Sequence, residues 1–167
     1  FQTRDALVLA SIAYRGEQAT DEWRRISEAV TDPIRRIGAL LSFVVEGEES
    51  FADAWGFWVQ AYAAAPRDEE VRRTISAALQ VWRTLFVTAL AAARDTGRIA
   101  ADLDPERNAS YVVAAADGLA MQTLGGFYGG DITTMRSTLI GLVAQLLGID
   151  EQSLGSFQGS SAGVISA

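Results

Sequence analysis

The sequence predicts an all-α domain, and three observations carry that prediction. Apolar residues recur at the three- and four-residue steps of an α-helix, whereas no segment keeps the period of two that a half-buried strand requires. Asp32-Pro33 and Asp104-Pro105 each provide an N-cap followed by Pro at the first helical position. Several periodic stretches are followed by a glycine, where helices commonly end: Gly47, Gly97, Gly129 and Gly148. We therefore expect six helices joined by short turns.

The first half of the chain is predicted to form three helices. The first, Thr3–Val30, carries an apolar stripe at steps of three, four and seven residues: Val8, Ile12, Ala19, Trp23, Ile26 and Val30. The second, Pro33–Val45, has an apolar face made by Ile34, Ile37, Leu41 and Val44. The third, Glu49–Ala65, is rich in aromatic residues and ends before Pro66, which cannot continue a helix.

Three further helices are predicted after Pro66. The fourth, Glu69–Thr96, begins with acidic residues that are favourable at the positive end of the helix dipole. The fifth, Pro105–Phe127, begins at the Asp-Pro pair and is rich in Ala and Gly. The sixth, Ile132–Leu147, follows a potential N-cap at Asp131 and ends before a glycine.

Composition excludes several classes of function. The chain has no Cys, His or Lys, which removes thiol and imidazole metal ligands, the commonest general base and Schiff-base chemistry. No cofactor and no metal site are predicted, and an enzyme would have to rely on Asp, Glu or Tyr. The net charge of −7 is unsuited to neutralising nucleic acid phosphates, and charged residues interrupt every candidate membrane span. These features favour a protein that binds rather than catalyses.

An aromatic face on the third predicted helix is the main candidate for a binding site. Four residues follow one another at steps of four, three and four and so share one face: Phe51, Trp55, Trp58 and Tyr62. The fourth predicted helix has a comparable face that includes Trp82 and Phe86. Rings interleaved with alanines leave gaps, which is typical of a small-molecule pocket with apolar walls. The alternative is a filled aromatic core. Several electron-rich rings could also surround a quaternary amine.

The fifth predicted helix adds three candidates to this ligand site: Asp117, Met121 and Gln122. Asp117 lies in a very apolar stretch, where a carboxylate can be buried and paired, can cap a contact between helices, or can meet a ligand. A structural hydrogen bond is the alternative role for it. Met121 and Gln122 are candidates for the floor of the pocket, with Met as a simple core filler as the alternative.

The last two predicted helices carry the features of a dimer interface. Small residues on the fifth allow close approach of another helix, and the sixth is apolar over a wider arc than one packing partner needs. Two such pairs can form a four-helix bundle across a twofold axis. The predicted interface comprises Tyr111, Ala115, Gly118, Gly125, Met135, Leu139, Leu142, Val143 and Leu146. The alternative is packing within one chain only.

The start of the chain resembles the junction that follows the helix-turn-helix domain in regulators of the TetR (tetracycline-repressor) family. Residues 1–7, FQTRDAL, fit the pattern of Phe, any residue, Ser or Thr, a basic residue, an acidic residue, any residue, Leu. Further stretches look like landmarks of the family's effector-binding domains: Trp82-Arg83, Gly97, Asp104-Pro105 and Ala116–Leu119. The Trp-rich third helix resembles the subgroup that includes the regulator of choline-to-betaine genes.

This resemblance implies a bacterial, cytoplasmic homodimer that represses transcription. Residues 1–152 would form the effector-binding and dimerisation domain, preceded by a DNA-binding domain that this sequence lacks. A small apolar or aromatic effector would bind between the first, third, fourth and fifth helices. It would thereby shift two recognition helices that must match half-sites roughly 34–36 Å apart. The alternative is a free-standing helical small-molecule-binding or scaffold protein without a DNA domain.

The segment 153–167 is rich in Ser, Gly and Ala and does not belong to the family pattern. Its composition predicts a flexible tail. The alternative is that Phe157, Val164 and Ile165 dock it onto a groove.

Overall fold

The computed structural model describes residues 4–46, 50–127 and 130–155, which form seven helices. Their bounds are α1 Arg4–Ala29, α2 Pro33–Glu46, α3 Phe51–Ala64, α4 Glu69–Asp95, α5 Pro105–Leu124, α6 Ile132–Leu147 and α7 Glu151–Gly155. The all-α class and the six predicted helices are confirmed. The fifth helix ends three residues earlier than expected, because Gly125 and Gly126 form a turn in which Gly126 has a φ of +65°. The short α7 was not predicted.

Side-chain caps fix where the helices start. The carboxylates of Asp68, Asp104 and Asp131 each accept hydrogen bonds from backbone N–H groups in the first turn of the helix that follows. The N–H of Arg107 is the largest cause of a lowered pKa at Asp104. At the other ends, Gly97 and Gly148 adopt positive φ angles of 70° and 65°, as their predicted stop positions require. The predicted stops at residues 47 and 129 lie outside the described residues.

The helix α4 lies at the centre of the fold and packs against α1, α2, α3 and α5. Its buried side chains belong to two apolar clusters. The larger contains Phe86 and Leu90 together with residues of α2, α5 and α6, and the smaller contains Ile12, Ala61, Val71 and Ile75. Among the described helices, only α4 is long and apolar enough to cross a membrane by length and composition. A central helix of a soluble protein can meet the same criterion.

Three residues predicted for the dimer interface are instead part of this chain's own core. Met135, Leu139 and Val143 are buried, because α2, α5 and α7 pack on α6 and cover that face. Their side chains are enclosed within this chain. The rest of the predicted interface is accessible: Tyr111, Gly118, Gly125 and Leu142 are exposed, and Ala115 and Leu146 are half-buried. The wide apolar arc of α6 thus serves two surfaces, one inside the chain and one outside.

The helix α7 closes the core over α2. Leu154 is buried, and its backbone lies so close to Gly38 that a Cβ there would be 2.2 Å from the Leu154 carbonyl oxygen. Residues 153–155, which the sequence assigned to the tail, are therefore helical and packed. The remainder of the tail, including Phe157, Val164 and Ile165, lies outside the described residues.

The variant Gly38→Ala is expected to lower the free energy of unfolding by about 1–3 kcal/mol, because its methyl group overlaps the Leu154 backbone. Gly56→Ala is the matched control, since a Cβ at Gly56 meets nothing within 4 Å. That control should gain up to about 1 kcal/mol from helix propensity. Urea unfolding monitored by circular dichroism measures both. A Gly38→Ala variant as stable as the parent would contradict the close contact.

Candidate ligand-binding site

A cavity of about 280 Å³ lies among the first five helices. Side chains from every one of them reach its wall. Those from α1 are Tyr14, Arg15, Gln18 and Glu22, and those from α2 are Phe43, Val44 and Val45. Those from α3 are Phe51, Ala54, Trp55, Trp58 and Tyr62, those from α4 are Leu79, Trp82 and Phe86, and those from α5 are Val113, Ala116 and Asp117. The composition is that of a small-molecule site, with apolar walls and few polar groups.

One side of the cavity is held rigid by contacts between aromatic residues and the backbone. The indole Nε1 of Trp55 donates a hydrogen bond to the Val44 carbonyl at 3.1 Å, which ties α3 to α2. Trp82 on α4 stacks on Phe43 of α2, with 5.8 Å between the ring centroids and 22° between the planes. Phe86 is almost fully buried behind them. These rings therefore have defined positions before any ligand arrives.

A second group of aromatic side chains at the cavity comes from α3. Trp58 lies between two neighbouring rings, with centroids 5.9 Å from Phe57 and 6.4 Å from Tyr62. The guanidinium carbon of Arg15 lies 4.6 Å from the centroid of Phe57, in a cation–π contact that joins α1 to α3. This contact brings α1 into the same unit as the aromatic face.

The most unusual polar group of the cavity is the carboxyl of Asp117. Tyr62 donates a hydrogen bond from its hydroxyl to Oδ2 of Asp117 at 3.4 Å, linking α3 to α5. Burial raises the pKa of Asp117 to about 6, and the hydrogen bond from Tyr62 opposes this rise. Burial also raises the pKa of Tyr62, with the Asp117 charge as a second cause, so Tyr62 stays protonated. The cavity thus contains a carboxyl group that changes charge near neutral pH.

The remaining polar groups come from α1, where Arg15, Gln18 and Glu22 form a stripe at steps of three and four residues. Glu22 is the better shielded partner of an ion pair with Arg25, at 2.9 Å between Oε2 and NH1. Its side chain is 17% exposed, whereas that of Arg25 is 73% exposed. The cavity is therefore bordered by a second carboxylate besides Asp117.

Six of the eight residues predicted for the ligand site lie on the cavity wall: Trp55, Trp58, Tyr62, Trp82, Phe86 and Asp117. Met121 and Gln122 do not. Both are exposed on α5, because the face that points into the protein there is formed by Ala116 and Ala120.

The wall formed by α2 was missed by the sequence analysis, as were the side chains of α1. A signal for α2 was present, since Phe43 and Val45 flank its predicted inward face and widen the apolar arc. A signal for α1 was also present, because its polar stripe runs beside the apolar one at the same helical steps. Neither pattern identifies a cavity without knowledge of which helices are neighbours.

Comparison with known protein families gives a match over most of the chain. The family described as the C-terminal domain of the BetI-type transcriptional repressor matches residues 33–148, from the start of α2 to the glycine that ends α6. A comparison with curated protein sequences gave no significant match.

Three solved structures share the fold. One is a transcriptional regulator from Saccharomonospora viridis in complex with choline, with a TM-score of 0.79, 20% identity and coverage of 86% of this chain and 74% of that one. A TetR-family regulator from Rhodococcus sp. has a TM-score of 0.75 and 22% identity, covering 88% and 77%. A TetR regulator from Haloarcula marismortui ATCC 43049 has 0.76 and 18%, covering 89% and 75%. At these identities the likeness concerns the fold alone.

Proposed function

The chain belongs to the TetR family, as a C-terminal domain of the BetI-type transcriptional repressors, and we propose that its cavity is the effector site of a ligand-sensing repressor domain. The observation that carries the proposal is a cavity walled by Trp55, Trp58 and Trp82 with one half-buried carboxyl, Asp117. A solid aromatic core would leave no such space. The cavity therefore favours a small-molecule pocket over a filled aromatic core.

The proposed effector is a small molecule with an apolar body and a positively charged group. Aromatic faces attract cations, and two carboxylates, Asp117 and Glu22, border the same space. The choline complex of the S. viridis regulator supports this class, because choline combines a quaternary ammonium group with a short apolar body. A metabolite of this kind suits a cytoplasmic sensor.

The proposed effect of the ligand is a shift of α1. This helix contributes Arg15, Gln18 and Glu22 to the cavity, and it is held by Trp23 in the larger cluster and by Ile12 in the smaller one. A ligand that contacts α1 between these anchors can favour one position of the helix over another. DNA-binding domains joined to its N-terminal end would then change their spacing. The size of the shift is set by the difference in ligand affinity between the two positions.

We further propose that the regulator is a homodimer formed through α5 and α6. The exposed residues Tyr111 and Leu142 border a shallow groove together with the small residues Ala114 and Ala115. The exposed Gly118 on α5 also allows a partner helix to approach closely. Two copies of this helix pair would bury the groove in a four-helix bundle.

Calorimetric titration with choline tests the effector site. The parent chain is expected to bind, and Trp82→Ala is expected to lose about tenfold or more in affinity, because it removes a ring that is positioned by stacking on Phe43. Met121→Ala is the matched control, since Met121 is exposed and off the wall. Circular dichroism checks that each variant is folded. If folded Trp82→Ala binds choline as tightly as the parent, the cavity is not the site.

A further inference from the structure

We propose that occupancy of the cavity by an organic cation is coupled to the release of one proton from Asp117, so that acidification expels the effector. The inference rests on the proposed function, because it concerns the regulation of the same site. It goes beyond the choice of ligand, since it makes the sensor respond to a cation and to pH together.

The geometry places the carboxyl of Asp117 on the wall of the cavity. Asp117 lies on the cavity wall among Val113, Ala116 and the rings of α3 and α4. Within the described residues, the hydroxyl of Tyr62 is its one hydrogen-bonding or ion-pairing partner, at 3.4 Å. A hydroxyl does not neutralise a carboxylate. Among the residues that the structure describes, no cationic side chain forms an ion pair with Asp117, and a ligand cation can supply that partner.

The carboxyl of Asp117 changes its protonation state between pH 5 and pH 8. With a pKa of about 6, the carboxyl is mostly ionised at pH 8 and mostly neutral at pH 5. A cation close to it stabilises the ionised form and so lowers its pKa in the complex. Binding below neutral pH then converts the protonated carboxyl into a carboxylate paired with the cation. The proton leaves to solvent, and charge balances on both sides of the step.

The other charged or titratable groups around the cavity come from α1 and α3. Those on α1 are Tyr14, Arg15 and Glu22, and the one on α3 is Tyr62, whereas the described lining residues of α2 and α4 are apolar or aromatic. Arg15 lies over Phe57, and Glu22 is paired with Arg25. Glu22 is thus the competing carboxylate, and an experiment must separate it from Asp117.

The test measures choline affinity by calorimetry from pH 5 to pH 8, beside an uncharged analogue in which a tert-butyl group replaces the trimethylammonium group. Since the apparent dissociation constant scales inversely with the ionised fraction of Asp117, choline should bind about tenfold more weakly at pH 5 than at pH 8. The analogue should not weaken on acidification. Titrations in two buffers of different ionisation enthalpy should show proton release with choline only, and only below about pH 7.

Three variants assign the proton to its residue. Asp117→Asn should abolish the pH dependence, and Glu22→Gln should keep it, because Glu22 is already paired with Arg25. Tyr62→Phe should move the midpoint to higher pH, since it removes the hydrogen bond that lowers the pKa of Asp117. A purely structural role for Tyr62 would change the affinity without moving that midpoint.

The outcomes separate this inference from the proposed function. If choline binds with the same affinity across the pH range, or if Glu22→Gln abolishes the dependence, the cation site stands and the coupling through Asp117 is wrong. If the uncharged analogue binds and choline does not, the cavity is a ligand site without a cation. If neither choline nor the uncharged analogue binds, both the proposed effector class and the coupling to Asp117 are wrong.

Discussion

The variant Phe86→Ala is expected to lose about 3–5 kcal/mol of unfolding free energy, which is a large part of the stability of a domain of this size. Phe86 is 1% exposed and belongs to the larger apolar cluster, where α4 meets α2 and α5. Its ring also forms part of the cavity wall. Truncation therefore enlarges a space that already exists, and the neighbouring rings, fixed by stacking and by hydrogen bonds, cannot collapse into it.

Urea unfolding at neutral pH measures this loss, with Phe86→Leu as the control that keeps most of the volume. The leucine variant should lose clearly less than the alanine variant. A loss below about 1 kcal/mol for Phe86→Ala would mean that the wall adapts freely, which would contradict a preformed cavity. Phe86 was a candidate for ligand contact. Because its truncation destabilises the fold, however, it is a poor position for testing binding.

The variant Leu142→Arg is expected to convert the proposed homodimer into a monomer at micromolar concentration. Leu142 is 41% exposed on the groove between α5 and α6, so the substitution does not disturb the core of one chain. In the bundle, however, it would place two guanidinium groups near the twofold axis without a partner. That cost weakens the dimer at least about hundredfold, or about 3 kcal/mol.

Sedimentation velocity measures the dissociation, and Val81→Arg is the matched control. Val81 is an apolar residue on α4 with a similar exposure of 39%, and it lies away from the groove. Its variant should remain a dimer. A monomeric parent chain, or a Leu142→Arg variant that stays dimeric, would contradict the proposed interface.

Local signals made most of the fold predictable from sequence. The Asp-Pro pairs and Asp131 mark helix starts through chemistry within one turn, and the structure has the caps where the sequence expects them. The helix α7 escaped prediction because its five residues span little more than one turn and carry no periodicity. Its position depends on Leu154 reaching a gap left by Gly38, which is a contact between distant parts of the chain.

From the sequence, the site could be predicted only where its residues share one face of a single helix. The spacing of Trp55, Trp58 and Tyr62 fixes a shared face, and Asp117 stood out by its apolar neighbours. The same reasoning grouped Met121 with the pocket, although it is exposed, and it assigned Leu139 to the dimer, although it is buried where α2, α5 and α7 pack on α6. Periodicity identifies the apolar faces of a helix, but it does not show which other helices pack against each face.

The most direct test of the central claim, that the cavity is the effector site, is a titration of the nitrogen-15-labelled chain with choline. Trp55, Trp58 and Trp82 line the cavity, whereas Trp23 is buried in the core away from it, so the four indole N–H signals include an internal control. The account predicts saturable shifts of the first three signals that are larger than the shift of Trp23, which lies on α1 but does not line the cavity. Saturable binding that leaves the signals of Trp55, Trp58 and Trp82 in place would contradict it.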